Sequence, residues 1–130
     1  MKRTPSSPYK SKGGIQRIMG AFSYSMQGLA AAFRHEAAFR QELLLCLIAT
    51  PIAYWLSGSW RQFLILVGSL LFILVVELLN SAIETLADAL MPEHHPLIGR
   101  AKDIGSAAVF LSFLLAICIW CAVLIPDLPI

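Results

Sequence analysis

From Ile104 to Ile125 the chain carries no charged residue, a run of 22 positions. That matches the roughly 20 apolar residues a helix needs to cross a hydrocarbon layer of about 30 Å. No water reaches backbone groups at that depth, so such a run has to be helical. The remaining charges obey the same solvent. Residues 1–42 hold seven bases (Lys2, Arg3, Lys10, Lys12, Arg17, Arg34, Arg40) and two acids, Glu36 and Glu42. Residues 43–90 hold one base, Arg61, and three acids, Glu77, Glu84 and Asp88. With 58% of residues hydrophobic and 14% charged, the composition departs from the roughly 45–50% and 25% of soluble domains. It excludes a disordered chain and a basic protein that coats nucleic acid, and no nucleic-acid partner is expected.

Two further spans follow from the same reasoning. Leu43–Leu56 is short and contains Pro51, so the first span is placed over residues 37–56. The second starts at Phe63 and continues as a helical pattern to Leu90. The third covers residues 104–125. Trp55, Trp60 and Trp120 lie near span ends, where amphipathic rings favour the interface. The basic N-terminal segment is expected on the cytoplasmic side. Three spans then put residues 57–62 outside, 91–103 inside and the C-terminus outside. Lys2 and Arg3 lead into a polar stretch, not an apolar core, so no cleavable signal peptide is expected.

Ile15, Ile18, Met19, Phe22, Met26, Leu29 and Phe33 recur at three- and four-residue spacing, one stripe of a helix over residues 15–34. Gln16, Arg17, Ser23 and Gln27 face the other way. A basic amphipathic helix beside a span lies in the membrane interface or packs on its own spans; the sequence leaves both open. Residues 1–14 read as a polar mobile tail and 126–130 as a second tail. The fold class is therefore an all-α membrane protein: an N-terminal amphipathic helix and three transmembrane helices in a single domain over 15–125.

Two sequence patterns are set aside. Cys118-Ile-Trp-Cys121 has redox or zinc spacing, but sits in the uncharged run with no group to activate a thiol. Glu93-His94-His95 lacks further ligands for a zinc site. Phosphate-binding glycine loops and Gly-x-Ser-x-Gly are absent from the sequence.

Chemistry concentrates on one stretch. Glu77, Asn80 and Glu84 are spaced by three and four, a single polar stripe on a helix, and Asp88 extends it. Counted from Phe63 at 1.5 Å per residue, Glu77 lies roughly 21 Å into an apolar layer of about 30 Å, and Glu84 lies at its edge. An acid at membrane depth is a functional candidate, here a general base. The alternative is a carboxyl that only holds helices together. Glu36, Glu84, Glu93, Lys102 and Asp103 all fall at the inner boundary. Carboxylates there suit Mg²⁺, a hard cation that bridges phosphates, and Arg17, Arg34 and Lys102 suit phosphate oxygens. Taken singly, each of these charges is no more than a solvated helix end. Gly105-Ser106-Ala107-Ala108 offers a small-residue face for close helix packing.

At Glu36-Ala-Ala-Phe-Arg-Gln-Glu42, Glu77-Leu-Leu-Asn-Ser-Ala-Ile-Glu84 and Arg100-Ala-Lys-Asp-Ile-Gly-Ser-Ala-Ala108 the chain resembles the bacterial diacylglycerol kinase family, from about Arg17 to Cys121. The resemblance implies ATP- and Mg²⁺-dependent phosphorylation of sn-1,2-diacylglycerol to phosphatidate in the bacterial inner membrane. The N-terminus would be cytoplasmic and the C-terminus periplasmic. It implies a homotrimeric helical bundle with shared active sites. By position, Glu77 is the implied catalytic base, with Asn80 beside it. Glu36 and Glu84 are the implied Mg²⁺ ligands. Arg17, Tyr24, Glu36, Glu84, Glu93, His95, Lys102 and Asp103 are implied ATP contacts. Arg40, Gln41, Ser106 and Trp120 are implied lipid-side positions. Met26-Gln27 and His35 depart from familiar members. An undecaprenol kinase on the same scaffold is the nearest alternative. A non-catalytic membrane oligomer with a proton or ion pathway is an alternative of another class.

Overall fold

The computed structural model describes residues 13–90 and 93–125, so the expected tail over 1–14 lies outside the described residues except for Gly13 and Gly14, and the expected tail over 126–130 lies outside them altogether. Four helices follow in order among the described residues: α1 (Ile15–His35), α2 (Ala37–Leu56), α3 (Trp60–Leu90) and α4 (Pro96–Leu124). The last three are long and apolar enough to cross a membrane. They run alternately up and down, with α3 packed against both α2 and α4. Among the described residues there is no strand.

A repeating face on each helix makes this packing. On α3 the buried residues are Leu66, Ser69, Leu70, Ile73, Glu77, Asn80, Ser81 and Ala87, and the steps of three and four from Leu66 through Leu70, Ile73 and Glu77 to Asn80 draw one seam along a helix. On α2 they are Phe39, Glu42, Cys46 and Ala53. On α4 they are Gly105, Ser112 and Ala116, small residues that let two backbones approach in a bilayer. Hydroxyls inside the seam satisfy themselves on their own helices. Ser69 Oγ donates to Leu66 O at 2.7 Å, Ser112 Oγ to Val109 O at 2.7 Å and Thr50 Oγ1 to Cys46 O at 2.7 Å. Across the seam, Trp120 Nε1 donates to Ser69 Oγ at 3.1 Å and Cys46 Sγ to Leu70 O at 3.6 Å. All three cysteines are free.

Two helices begin earlier than their apolar runs, each for a local reason. Helix α3 starts at Trp60, not Phe63, because Ser59 Oγ accepts from Gln62 N at 3.2 Å and Gln62 Oε1 accepts from Gly58 N at 2.8 Å. This is a Ser-x-x-Gln cap that satisfies amides no helix turn can reach. Helix α4 starts at Pro96, well before Ile104. His95 Nδ1 accepts from Leu97 N at 3.2 Å, and proline suits the first helical position because it has no N–H to lose. At 1.5 Å per residue, α3 and α4 are each more than about 40 Å long, longer than an apolar layer of about 30 Å. Pro51 sits inside α2 without ending it, as bilayer helices allow.

Helices α1 and α2 are separated by one residue. Glu36 is extended (φ −106°, ψ 109°) between two helices, and Glu36 N still donates to Ala32 O at 2.9 Å. Arg40 reaches back over this elbow: its Nη1 donates to Phe33 O at 2.9 Å and Arg34 O at 3.2 Å. The arginine thus closes carbonyls left open where α1 ends. Only Ala32 is buried on α1. Ile15, Phe22 and Phe33 are 76%, 65% and 53% exposed, so the apolar stripe is not covered by the chain's own spans. Of the two readings of this helix, packing on its own protein is restricted to its last turns.

Two substitutions test this account. Ser69→Ala removes the acceptor of the Trp120 indole and is expected to cost about 0.6–1.7 kcal/mol, read as a lower thermal midpoint in detergent; an unchanged midpoint would show that the bond adds nothing. Arg40→Ala is expected to loosen the elbow by about 1 kcal/mol, seen as faster hydrogen exchange at the Glu36 amide, whereas unaltered exchange would mean that another contact holds it.

Candidate functional site

The seam of α3 changes character along its length. Leu66, Leu70 and Ile73 give way, at the same periodicity, to Glu77, Asn80 and Ser81, all buried. Helix packing therefore carries a carboxyl, an amide and a hydroxyl into the bundle on the face that elsewhere holds leucines. Glu77 is 4% exposed, and Ser81 Oγ donates to its Oε1 at 3.4 Å. One turn on, Asn80 Nδ2 donates to Glu84 Oε1 at 3.2 Å. Glu84 is half-buried, where α3 nears its end.

Other acids gather around Glu77. Glu84 and Glu36 lie within its electrostatic reach. So does Glu42, which is 8% exposed and has an Oε2 without a hydrogen-bond partner. Glu36 stands at the elbow, and its side chain makes no capping bond to α2, so its carboxylate stays available. It lines a cleft of about 840 Å³ between α1 and α3, together with Ser25, Ala32, His35 and Ser81. Small side chains on α1, Gly28 and Ala31 among them, keep the cleft open. On the other side of α3, Lys102 Nζ pairs with Asp88 Oδ1 at 2.9 Å and lies within reach of Glu84. Asp88 is the fourth member of the sequence stripe, but it points outward to this lysine and not toward Glu77.

The expected site residues divide into two sets. The fold brings Glu77, Asn80 and Glu84 together on α3, with Glu36 within reach from the elbow and Lys102 from α4. It does not gather the rest in one chain. Arg17 and Tyr24 lie exposed on α1, and Gln41 is exposed on α2. Glu93, Asp103 and Ser106 are exposed beyond or along the start of α4. His95 caps α4. Arg40 holds the elbow, and Trp120 is bonded to Ser69 on the seam, two helical turns from Glu77. Sequence reasoning counts Glu42 only among the charges of residues 1–42 and misses it as a buried group. Its signal was available: it lies three residues after Phe39 and four before Cys46, on the buried face of α2.

Among the described residues no three His, Cys, Asp or Glu side chains form a metal cage. The donors still suit one cation. Mg²⁺ keeps several waters and is held by one or two carboxylates plus phosphate oxygens, not by an all-protein shell. Glu36 has an unbonded carboxylate facing the cleft, and Glu84 has one oxygen held by Asn80 and the other open. Two hard oxygen donors at one end of a bundle fit that requirement.

Comparison with known proteins identifies the family. A family model described as prokaryotic diacylglycerol kinase matches residues 23–124. The chain is 46% identical over 111 residues to a diacylglycerol kinase of Escherichia coli, covering 85% of this chain and 91% of that protein. It is 44% identical over 119 residues to one of Pseudomonas aeruginosa, covering 92% and 97%. To one of Helicobacter pylori it is 37% identical over 113 residues, covering 87% and 88%. With three helices able to cross a bilayer and a match over most of its length, the chain is a multi-pass membrane protein of the prokaryotic diacylglycerol kinase family.

Proposed function

We propose that the protein transfers the γ-phosphoryl group of ATP to sn-1,2-diacylglycerol, forming phosphatidate, with Mg²⁺ as cofactor, at the cytoplasmic face of the bacterial inner membrane. The observation that carries this reading is Glu77, a carboxyl 4% exposed on an otherwise apolar helix seam, in a chain whose relatives are named diacylglycerol kinases. An acid at such depth carries a desolvation cost, and residues of this kind mark functional sites.

Phosphoryl transfer asks a protein mainly for positioning and charge neutralisation. Glu77 takes the proton from the lipid's primary hydroxyl as that oxygen attacks the γ-phosphorus. The bond from the γ-phosphorus to its bridging oxygen breaks, and ADP leaves. Ser81 holds one Glu77 oxygen by its hydroxyl and so orients the other. Asn80 fixes Glu84. Glu36 and Glu84 would hold Mg²⁺, which neutralises phosphate charge when bound. Lys102, Arg17 and His95 meet the nucleotide from water, with Tyr24, Glu93 and Asp103. Arg40, Gln41, Ser106 and Trp120 are assigned to the lipid side. Several of these face outward from a single chain, which supports a homotrimer in which neighbouring copies complete each site.

The exposed apolar stripe of α1 supports a place in the interface, where a lipid presents its hydroxyl. That puts the two reactants at one level: diacylglycerol from the bilayer and ATP from the cytoplasm. The proposed topology has the N-terminus cytoplasmic and the C-terminus periplasmic.

Purified protein given ATP, Mg²⁺ and either diacylglycerol or a polyprenol is expected to phosphorylate diacylglycerol faster; preference for the polyprenol would reverse the substrate assignment. In the same assay Glu77→Gln is expected to lower kcat by about 10²–10⁴-fold with assembly intact. Full activity in that variant would remove Glu77 as the base. Glu36→Gln and Glu84→Gln are each expected to raise the Mg²⁺ concentration for half-maximal rate by about tenfold or more while leaving the lipid KM near its original value. Unaltered metal dependence in both would end the metal assignment.

A further inference from the structure

We infer that Gly105 is a positioning residue for Glu84, acting through Asn80: the missing side chain on α4 is what lets the Asn80 amide lie where it can hold the carboxylate. The inference rests on the reading of Glu84 as a metal ligand and extends it to a residue on another helix. Gly105 is buried on the face of α4 that meets α3. A Cβ placed there would collide with Asn80 Oδ1, and would lie 3.3 Å from Asn80 Cγ and 3.9 Å from its Cβ. All three nearest atoms belong to Asn80. The obstacle is thus one side chain of the site and not the backbone of α3, as it would be if the glycine served helix packing alone.

Other glycines mark the contrast. At Gly20, Gly28 and Gly68, also within helices, an added Cβ meets nothing within 4 Å. The Asn80 amide is held at its two ends in different ways. Its Nδ2 donates to Glu84 Oε1 at 3.2 Å. Its Oδ1 is buried and has no hydrogen-bond partner, so only the shape of the α3–α4 seam fixes that end. Asparagine has a short side chain, and displacing Oδ1 swings the whole amide. A methyl group at residue 105 therefore takes Nδ2 off Glu84 and frees the carboxylate to rotate.

The test compares Gly105→Ala, Asn80→Ala, the double variant Asn80→Ala/Gly105→Ala and Glu84→Gln in the full-length assembled protein. One readout is the Mg²⁺ concentration for half-maximal rate, set against the lipid KM. The other is Mn²⁺ binding, followed by electron paramagnetic resonance with a non-hydrolysable ATP analogue and no lipid. Gly105→Ala and Asn80→Ala are each expected to weaken metal binding by about tenfold, as for loss of one hydrogen bond to a charged group, with lipid KM changed by less than about twofold. Truncating Asn80 makes room for the new methyl, so the double variant is expected to match Asn80→Ala. Wild-type metal affinity in Gly105→Ala, or added losses in the double variant, would overturn the inference. If Gly105→Ala does not assemble, Asn80→Ala and the double variant decide: wild-type metal affinity in Asn80→Ala, or a double variant that still fails to assemble, overturns it. Glu84→Gln separates the two levels, since normal metal binding in that protein overturns the reading of Glu84 itself, whereas weakened binding there beside a normal Gly105→Ala overturns only the role of the glycine.

Discussion

An apolar layer offers no water, so every polar group carried into it must find a partner within the protein. The architecture follows from that shortage. Backbone groups are satisfied by continuous helices, and serines and threonines in the seam turn back onto carbonyls of their own turns. Trp120 finds Ser69, and Glu77 finds Ser81. Two buried side-chain atoms remain unpartnered among the described residues, Glu42 Oε2 and Asn80 Oδ1. Both belong to the neighbourhood of Glu77, so the incomplete satisfaction is concentrated where reactants would enter.

The local excess of negative charge is the second organising feature. Glu36, Glu42, Glu77 and Glu84 meet at one end of the bundle, and Lys102, within reach of Glu84, is already paired with Asp88. An exposed pair of that kind is weak, which leaves the ammonium free to exchange partners. A cluster of acids with little compensating charge is poorly suited to binding a nucleotide by itself. It is well suited to binding one that arrives with a divalent cation, because the cation reverses the local sign.

Much of this was legible before any coordinates. The uncharged run ending at Ile125 is a signal of composition and the three-four spacing of Glu77, Asn80 and Glu84 one of period, and both survive in the fold. Helix starts were less legible, because they depend on individual caps: Ser59 with Gln62 draws α3 back to Trp60, and His95 with Pro96 draws α4 back to residue 96. Asp88 shows another limit. It shares the stripe's spacing, yet α3 has nearly ended there, and Lys102 on the neighbouring helix draws it outward. The burial of Glu42 and the fit of Gly105 against Asn80 depend on which helix faces which. A single helix read in isolation cannot supply that.

Helix α3 uses one face both to hold the bundle together and to carry the groups proposed to react. Its leucines and its acids occupy successive turns of one seam. Within the chain α4 joins that seam through few residues, Gly105, Ser112 and Ala116. Room for change is therefore lopsided within a chain of this size. Positions of the last helix that lie off both this seam and the proposed site can drift at little cost, whereas a change on the shared face of the third must be weighed against folding and turnover together.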